Sequence, residues 1–306
     1  MDNLSKILKT FSFNRLARNM WYIIKNDLEK KEEDLIYQIK DEVLEECALE
    51  LDDMKKRSIC NLDILNGPDT LEKLKNETKS FTRLGDGEIH IIEGKDQPFQ
   101  EYDPILARKM VDILSKGRDD VYVGLNYAYF VSPNNFTERN RRFYRIRGTH
   151  YRRFFTNICD LSRQYLDASA CGAYLRYGED FDFESHYRKV MELFENKDIA
   201  IVCGEGILDD LQYDVFSLAK SKMIIGAPKI NAFAEYDKTI AKIKENVSID
   251  TLVCIILGMT ATVLVPDLTD LGYMAWDLGH IAKEYNAYMT KMEKTQENLD
   301  RFWAPD

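Results

Sequence analysis

Residues 80–88 read Ser80-Phe81-Thr82-Arg83-Leu84-Gly85-Asp86-Gly87-Glu88: a short apolar run ending in a glycine-flanked pair of carboxylates. The run has the length of a strand, and glycines on either side of Asp86 let the backbone bend tightly and approach a ligand. Asp86 and Glu88, two residues apart, can turn toward one point. Hard oxygen ligands at that spacing suit Mg²⁺ or Mn²⁺ held jointly with a substrate diphosphate. Arg83 is placed to reach a phosphate with both arms of its guanidinium. A solvated Asp-Gly turn is the competing reading of the same residues.

Outward from this stretch, short apolar runs alternate with helical patterns. Strands are predicted at Ser80–Leu84, Val121–Leu125, Cys171–Arg176, Ile199–Cys203, Met223–Ile225, Leu252–Leu257 and Tyr273–Trp276, with helices at Ile105–Ser115, Glu184–Phe194 and Tyr236–Glu245. Alternation of this kind predicts an α/β fold, a largely parallel sheet with helices on both faces. Such sheets place ligands beyond the carboxyl ends of their strands, so the residues after each strand carry the functional reading.

After Cys203 come Gly204, Glu205 and Gly206, then a helix predicted from Leu208. A strand-to-helix turn of this kind offers backbone N–H groups to phosphate, although the full GxGxxG is absent and a tight structural turn reads equally well. Gly258, followed by Thr260 and Thr262, is a second phosphate or ribose candidate, or a threonine helix cap. Asp277, His280 and Glu284 stand at i, i+3 and i+7, on one face of a helix starting nearby. A histidine between two carboxylates can bind metal or phosphate, or move a proton. Arg176, at the end of the predicted third strand, adds a further cation. The stretch Arg139–Arg153 carries seven arginines with Phe143, Tyr144 and Tyr151 between them, and reads as a solvated helix face with one or two arginines lining a donor cleft.

The 306 residues suffice for one large α/β domain with an appendage. Hydrophobic content of 45% permits a full core, and a net charge of −10 disfavours nucleic acid as a general partner. Six cysteines without a CxxC pair read as buried, reduced thiols of a cytoplasmic protein. The N-terminus shows no signal-peptide pattern. Residues 1–66 form a charge-dense helical extension without glycine or proline, set apart from a domain over 67–306. Its basic amphipathic start suits homodimerisation through these helices, or peripheral contact with the inner face of a membrane.

Taken together, these segments resemble a known family. Arg83-Leu84-Gly85-Asp86-Gly87-Glu88 is similar to the Arg-x-Gly-Asp-Gly-Glu signature of bacterial GT-D-type glycosyltransferases, which include glucosyltransferases encoded beside serine-rich-repeat adhesins. Pro228-Lys229-Ile230-Asn231-Ala232-Phe233, Leu257–Leu264, Leu271-Gly272-Tyr273 and Asp277-Leu278-Gly279-His280-Ile281 follow in the family's order, over roughly residues 70–290. The resemblance implies a Rossmann-like GT-D fold, a UDP-sugar donor, and Mn²⁺ or Mg²⁺ at Asp86 and Glu88. Its conserved turns and segments map donor contacts onto Arg83, Gly85, Gly204, Glu205, Gly206, Pro228, Asn231, Gly258, Thr260 and Thr262; Arg176, from its place at the end of the predicted third strand, joins them as fixed positive charge. Asp86, Glu88, His280, Glu284 and Asp277 become the catalytic candidates.

The expected activity is transfer of a sugar, glucose by resemblance, to a glycan, glycoprotein or lipid-linked acceptor in surface-protein glycosylation or polysaccharide synthesis. A catalytically inactive nucleotide-binding or scaffold protein is the alternative. Another Rossmann-like enzyme, such as a methyltransferase, and a nucleic-acid binder using Arg139–Arg153 are weaker rivals.

Overall fold

A computed structural model describes residues 62–303 apart from Ser132, together with isolated positions 39 and 43. The extension predicted over residues 1–66 therefore lies outside the described residues as far as residue 61. At its end, β1 (Asp63–Ile64) joins the sheet beside β4 (Gln164–Asp167) and Leu62 is buried in the core.

The sheet has eight strands in the order β1-β4-β3-β2-β8-β7-β5-β6, every pairing parallel. Besides β1 and β4 these are β2 (Ser80–Leu84), β3 (Val121–Leu125), β5 (Asp198–Gly204), β6 (Ser221–Ala227), β7 (Leu252–Ile256) and β8 (Ala275–Asp277). The sequence Leu-Val-Cys-Ile-Ile makes β7 apolar on both faces, and all five residues are buried. Continuous apolar strands of this kind require helices above and below.

One face of the sheet is covered by α2 (Asp86–Ile92), α3 (Pro104–Lys116), α4 (Glu138–Ile158), α6 (Tyr236–Asn246) and α7 (Met259–Asp270), which share one core with Leu84, Leu125 and Val253. The other face is covered by α1 (Gly67–Asn76), α5 (Phe183–Glu192) and α8 (Ile281–Met289), packed with Phe81, Cys254 and the fully buried Trp276. Helix starts follow from local chemistry. Asn66 accepts from the Asp69 N–H, Asp103 from those of Ile105 and Leu106, and Asp182 from that of Ser185. A last helix, α9 (Gln296–Trp303), returns to the carboxyl-end rim and is fixed there by Leu299 and Phe302 against Leu175 and Ala287.

Two predicted elements do not form. Residues 171–176 are a succession of turns; the fourth strand of the sheet in chain order is β4, just before them. Their apolar alternation reflects burial beneath α8. Their N–H groups bond to nearby carbonyls and to the Tyr187 hydroxyl rather than to a strand. The helix predicted from Leu208 is also replaced by turns, so the β5–β6 crossover lacks a helix. The cysteines at 159, 171, 203 and 254 are buried free thiols; Cys47 and Cys60 lie outside the described residues. No helix among the described residues is long and apolar enough to cross a membrane.

Candidate active site

A cleft of about 690 Å³ runs across the carboxyl ends of the strands. Successive strands contribute Ser169 after β4, Asn126 after β3, Arg83 to Glu88 at β2, His280 after β8, Gly258 after β7, Ile207 after β5 and Lys229 after β6. The chain leaves β5 toward β6 on one side and leaves β7 toward β8 on the other. Adjacent strands that diverge in this way open a crevice where α/β sheets bind ligands.

Asp86 and Glu88 occupy the first turn of α2, where carboxylates favour the helix dipole. Glu88 Oε2 accepts the Gly85 N–H at 2.6 Å and so fixes the turn. Burial, reinforced by the neighbouring Asp277 charge, pushes the Glu88 carboxyl up to about 7. Asp86 is exposed in the cleft and faces a buried tyrosine group on its other side. Burial first, then the Asp86 charge, raises the Tyr129 hydroxyl well above its ordinary value and that of Tyr151 to about 12. Among the described residues no set of three or more His, Cys, Asp or Glu side chains forms a metal cage. Asp86 and Glu88, two carboxylates on an open cleft, are the residues that would hold a hard divalent ion, and their oxygen chemistry fits one.

Two arginines point into this cleft, each held by a buried carboxylate. Arg83 donates from Nη1 to the Ala168 carbonyl at 2.6 Å and from Nη2 to Asp277 Oδ1 at 3.0 Å. Asp277 is 2% exposed and also accepts the Gly279 N–H. Gly279 is required at its position: φ is +55°, and a Cβ would stand 2.1 Å from Arg83 Nη2. Arg176 donates from Nη1 to the carbonyls of Ser169 and Gly172, and its Nη2 lies 3.7 Å from Glu284 Oε1. Glu284 is 2% exposed and packs onto Gly172, where any Cβ would lie 2.6 Å from its carboxylate. Both pairs present guanidinium to the cleft with the carboxylates sealed behind.

The structure brings some of the sequence-predicted residues to the cleft and sets others apart from it. Asp277 and Glu284 do not line the cleft and lie buried behind Arg83 and Arg176; of that trio only His280 reaches it. Thr262 is fully buried and donates to the Arg83 carbonyl; Thr260 is buried and donates to Gln100 Oε1. Both threonines are pins of the core. Asn231 spends its Oδ1 on the Glu101 N–H, which ties down the 97–101 loop, and Pro228 stands outside the lining. Gly204, Glu205 and Gly206 lie beyond the lining as well, in a turn without the helix that would have directed N–H groups at phosphate. Gly85, Gly258 and Arg176 do line the cleft.

Other lining residues went unassigned in the sequence: Lys229, Phe99, Tyr129, Asn140, Lys283 and Trp303. Lys229 sits inside a segment the sequence had already singled out, so its position was the available signal. Of the arginines in α4 only Arg139 lines the cleft; Arg139, Arg147 and Arg153 are exposed, as a solvated face requires, and Arg141, Arg142, Arg145 and Arg152 are half-buried, with Arg152 donating to the Tyr129 carbonyl.

Comparison with known proteins agrees with this geometry. A family model described as the glycosyltransferase GT-D fold matches residues 81–302. Glycosyltransferase GlyD of Streptococcus pneumoniae serotype 4 is 29% identical over 234 residues, covering 76% of this chain and 28% of that protein. The probable glycosyl transferase Gly of Streptococcus gordonii is 30% identical over 240 residues, covering 73% of this chain and 33% of the relative. The matched region is thus a third or less of the curated relatives' length. A solved structure of the domain of unknown function 1792, described as a distinct glycosyltransferase fold, superposes with a TM-score of 0.72 at 29% identity, covering 83% of this chain and 93% of its own. A glycosyltransferase of the same domain type from Streptococcus sanguinis gives 0.70 at 25% identity, covering 80% and 94%. With a family match over most of its length, on an eight-stranded parallel sheet, the chain belongs to the GT-D family of glycosyltransferases.

Proposed function

We propose that the chain transfers a sugar, glucose by family resemblance, from a UDP-sugar to a hydroxyl of a glycan acceptor, with Mn²⁺ or Mg²⁺ held by Asp86 and Glu88. The observation that carries this reading is the convergence of Arg83 and Arg176 on the cleft that also holds the two α2 carboxylates. A diphosphate needs fixed cations that do not reorganise as charge builds on the leaving group, and arginines locked by buried carboxylates meet that need. When bound, the divalent ion would neutralise charge on the leaving diphosphate.

The chain's own residues divide the remaining work. Arg83 and Arg176 orient the diphosphate, and Asp277 and Glu284 hold them in position. In a direct displacement, the acceptor hydroxyl oxygen bonds to the anomeric carbon. The bond from that carbon to the diphosphate oxygen breaks, its electron pair leaving on UDP. His280, half-buried on the cleft wall after β8, accepts the hydroxyl proton. The acceptor class is a glycan on a surface protein or a polysaccharide precursor.

The test is release of free nucleoside diphosphate from a panel of sugar nucleotides, with Mn²⁺ or with EDTA. Metal-dependent UDP release from one sugar is expected. No release from any donor, with no UDP binding in the presence of Mn²⁺, would overturn the reading in favour of an inactive scaffold.

A further inference from the structure

We infer that Trp303, presented by the last helix, is the platform on which a sugar ring of the glycan acceptor stacks. This rests on the glycosyltransferase reading above and adds the place where the second substrate docks.

Helix α9 has two faces with different tasks. Leu299 and Phe302 are buried against Leu175 and Ala287 and anchor the helix. Trp303 and Asp300 instead line the cleft, Trp303 half-buried and Asp300 exposed. The indole ring stands edge-on to the His280 imidazole, with centroids 5.1 Å apart and planes at 83°. The His280 ring is in turn 6.1 Å from that of Phe99, on the loop pinned by Asn231. An aromatic wall, Phe99–His280–Trp303, therefore closes one side of the cleft, whereas Arg83 and Arg176 provide its fixed positive charge.

The two substrates differ in what they ask of a protein. A nucleoside diphosphate is drawn to the arginines and the α2 carboxylates with their ion. A neutral sugar ring has apolar C–H faces and a polar hydroxyl rim. It suits a rigid amphipathic aromatic face beside a carboxylate that accepts hydroxyl hydrogen bonds. The acceptor hydroxyl must also reach the group that takes its proton, and the indole flanks His280 directly. A ring stacked on Trp303 has Asp300 at its rim and the imidazole at its edge.

The experiment compares Trp303→Ala and Trp303→Phe in the full chain, with UDP-sugar as donor and a panel of methyl hexosides and N-acetylhexosaminides as acceptors. Acceptor KM is expected to rise about tenfold, about 1.4 kcal/mol, relative to donor KM in Trp303→Ala. Trp303→Phe, which keeps a face, should recover most of the loss. Among the described tryptophans, Trp276 is fully buried, so indole fluorescence of the wild type should change saturably with acceptor, and this change should vanish in Trp303→Phe. An unchanged acceptor KM, or a rise matched by the donor KM, overturns the platform while leaving the transferase reading intact. A wild type that releases no nucleoside diphosphate from any donor, with or without acceptor, and binds no UDP in the presence of Mn²⁺ overturns both.

Discussion

Asp277 Oδ1 stands 3.0 Å from Arg83 Nη2, joining the ends of neighbouring strands β8 and β2 beneath the cleft. Asp277 is sealed from solvent, while the guanidinium keeps access to the cleft. Burial raises the Asp277 carboxyl, and the Arg83 charge opposes that rise. The carboxylate's task is to hold a cation for something else. Asp277→Ala should therefore cost about 3 kcal/mol of stability, the usual result of stranding one member of a buried pair. Asp277→Asn should keep the fold and lower kcat/KM for donor turnover. Urea unfolding paired with nucleotide-release kinetics checks both; equal activity in Asp277→Asn would show that Arg83 needs no charged support.

Gly279→Ala tests the same pair from the backbone side. The residue has φ +55°, and the added methyl group would collide with Arg83 Nη2. Loss of more than about 1 kcal/mol is expected from the backbone alone, with donor affinity falling as Arg83 moves. Thermal unfolding together with UDP-binding calorimetry would show whether the two losses travel together.

Asp86→Ala and Glu88→Ala should each lower metal-dependent turnover by about 10²-fold or more, on the scale of removing one preorganised electrostatic group. Asp86→Ala should leave thermal stability near wild type, since that side chain is exposed. Turnover unchanged in either variant removes that residue from the proposed ion site.

Glu88 carries a pH signature. Its carboxyl is raised from 4.5 to about 7 by burial, so between those values the folded state holds a proton that the unfolded state has lost. Stability contributed by this group is therefore full below the unfolded value and is lost as pH rises toward 7. Glu88→Gln should flatten that part of a melting-temperature profile. In the wild type, Mn²⁺ affinity should fall as pH drops below about 7, because the proton and the ion compete for one carboxylate. Calorimetric titration of Mn²⁺ with UDP at pH 6 and 8 measures it, and equal affinity at both would exclude Glu88 as a ligand.

Glu284→Gln separates support from proton transfer. If Glu284 only positions Arg176, donor KM should rise several-fold while the shape of the kcat pH profile stays that of the wild type, and His280→Gln should alter the profile instead. A lost limb of the profile in Glu284→Gln would restore Glu284 to a direct role.

The layered α/β class was legible in one dimension, because apolar runs such as Leu252–Ile256 are buried on both faces and must be covered by helices. So was the Arg83–Glu88 stretch at a strand end, since strand length and glycine placement are local properties. Only the tertiary structure decided which polar side chains face the cleft. Asp277, His280 and Glu284 share a spacing, yet one closes a strand, one borders the cleft and one is buried under Gly172. Thr262 looks like a ligand contact in one dimension and is a core hydrogen bond in three. Trp303, far along the chain from residues 83–88, gave no local signal at all. Its place beside His280 depends on Leu299 and Phe302 docking against Leu175, a contact no periodicity records. Local pattern fixes which face of an element is apolar; which neighbour that face meets, and so which residues are left at the rim, is settled by packing across the whole sheet.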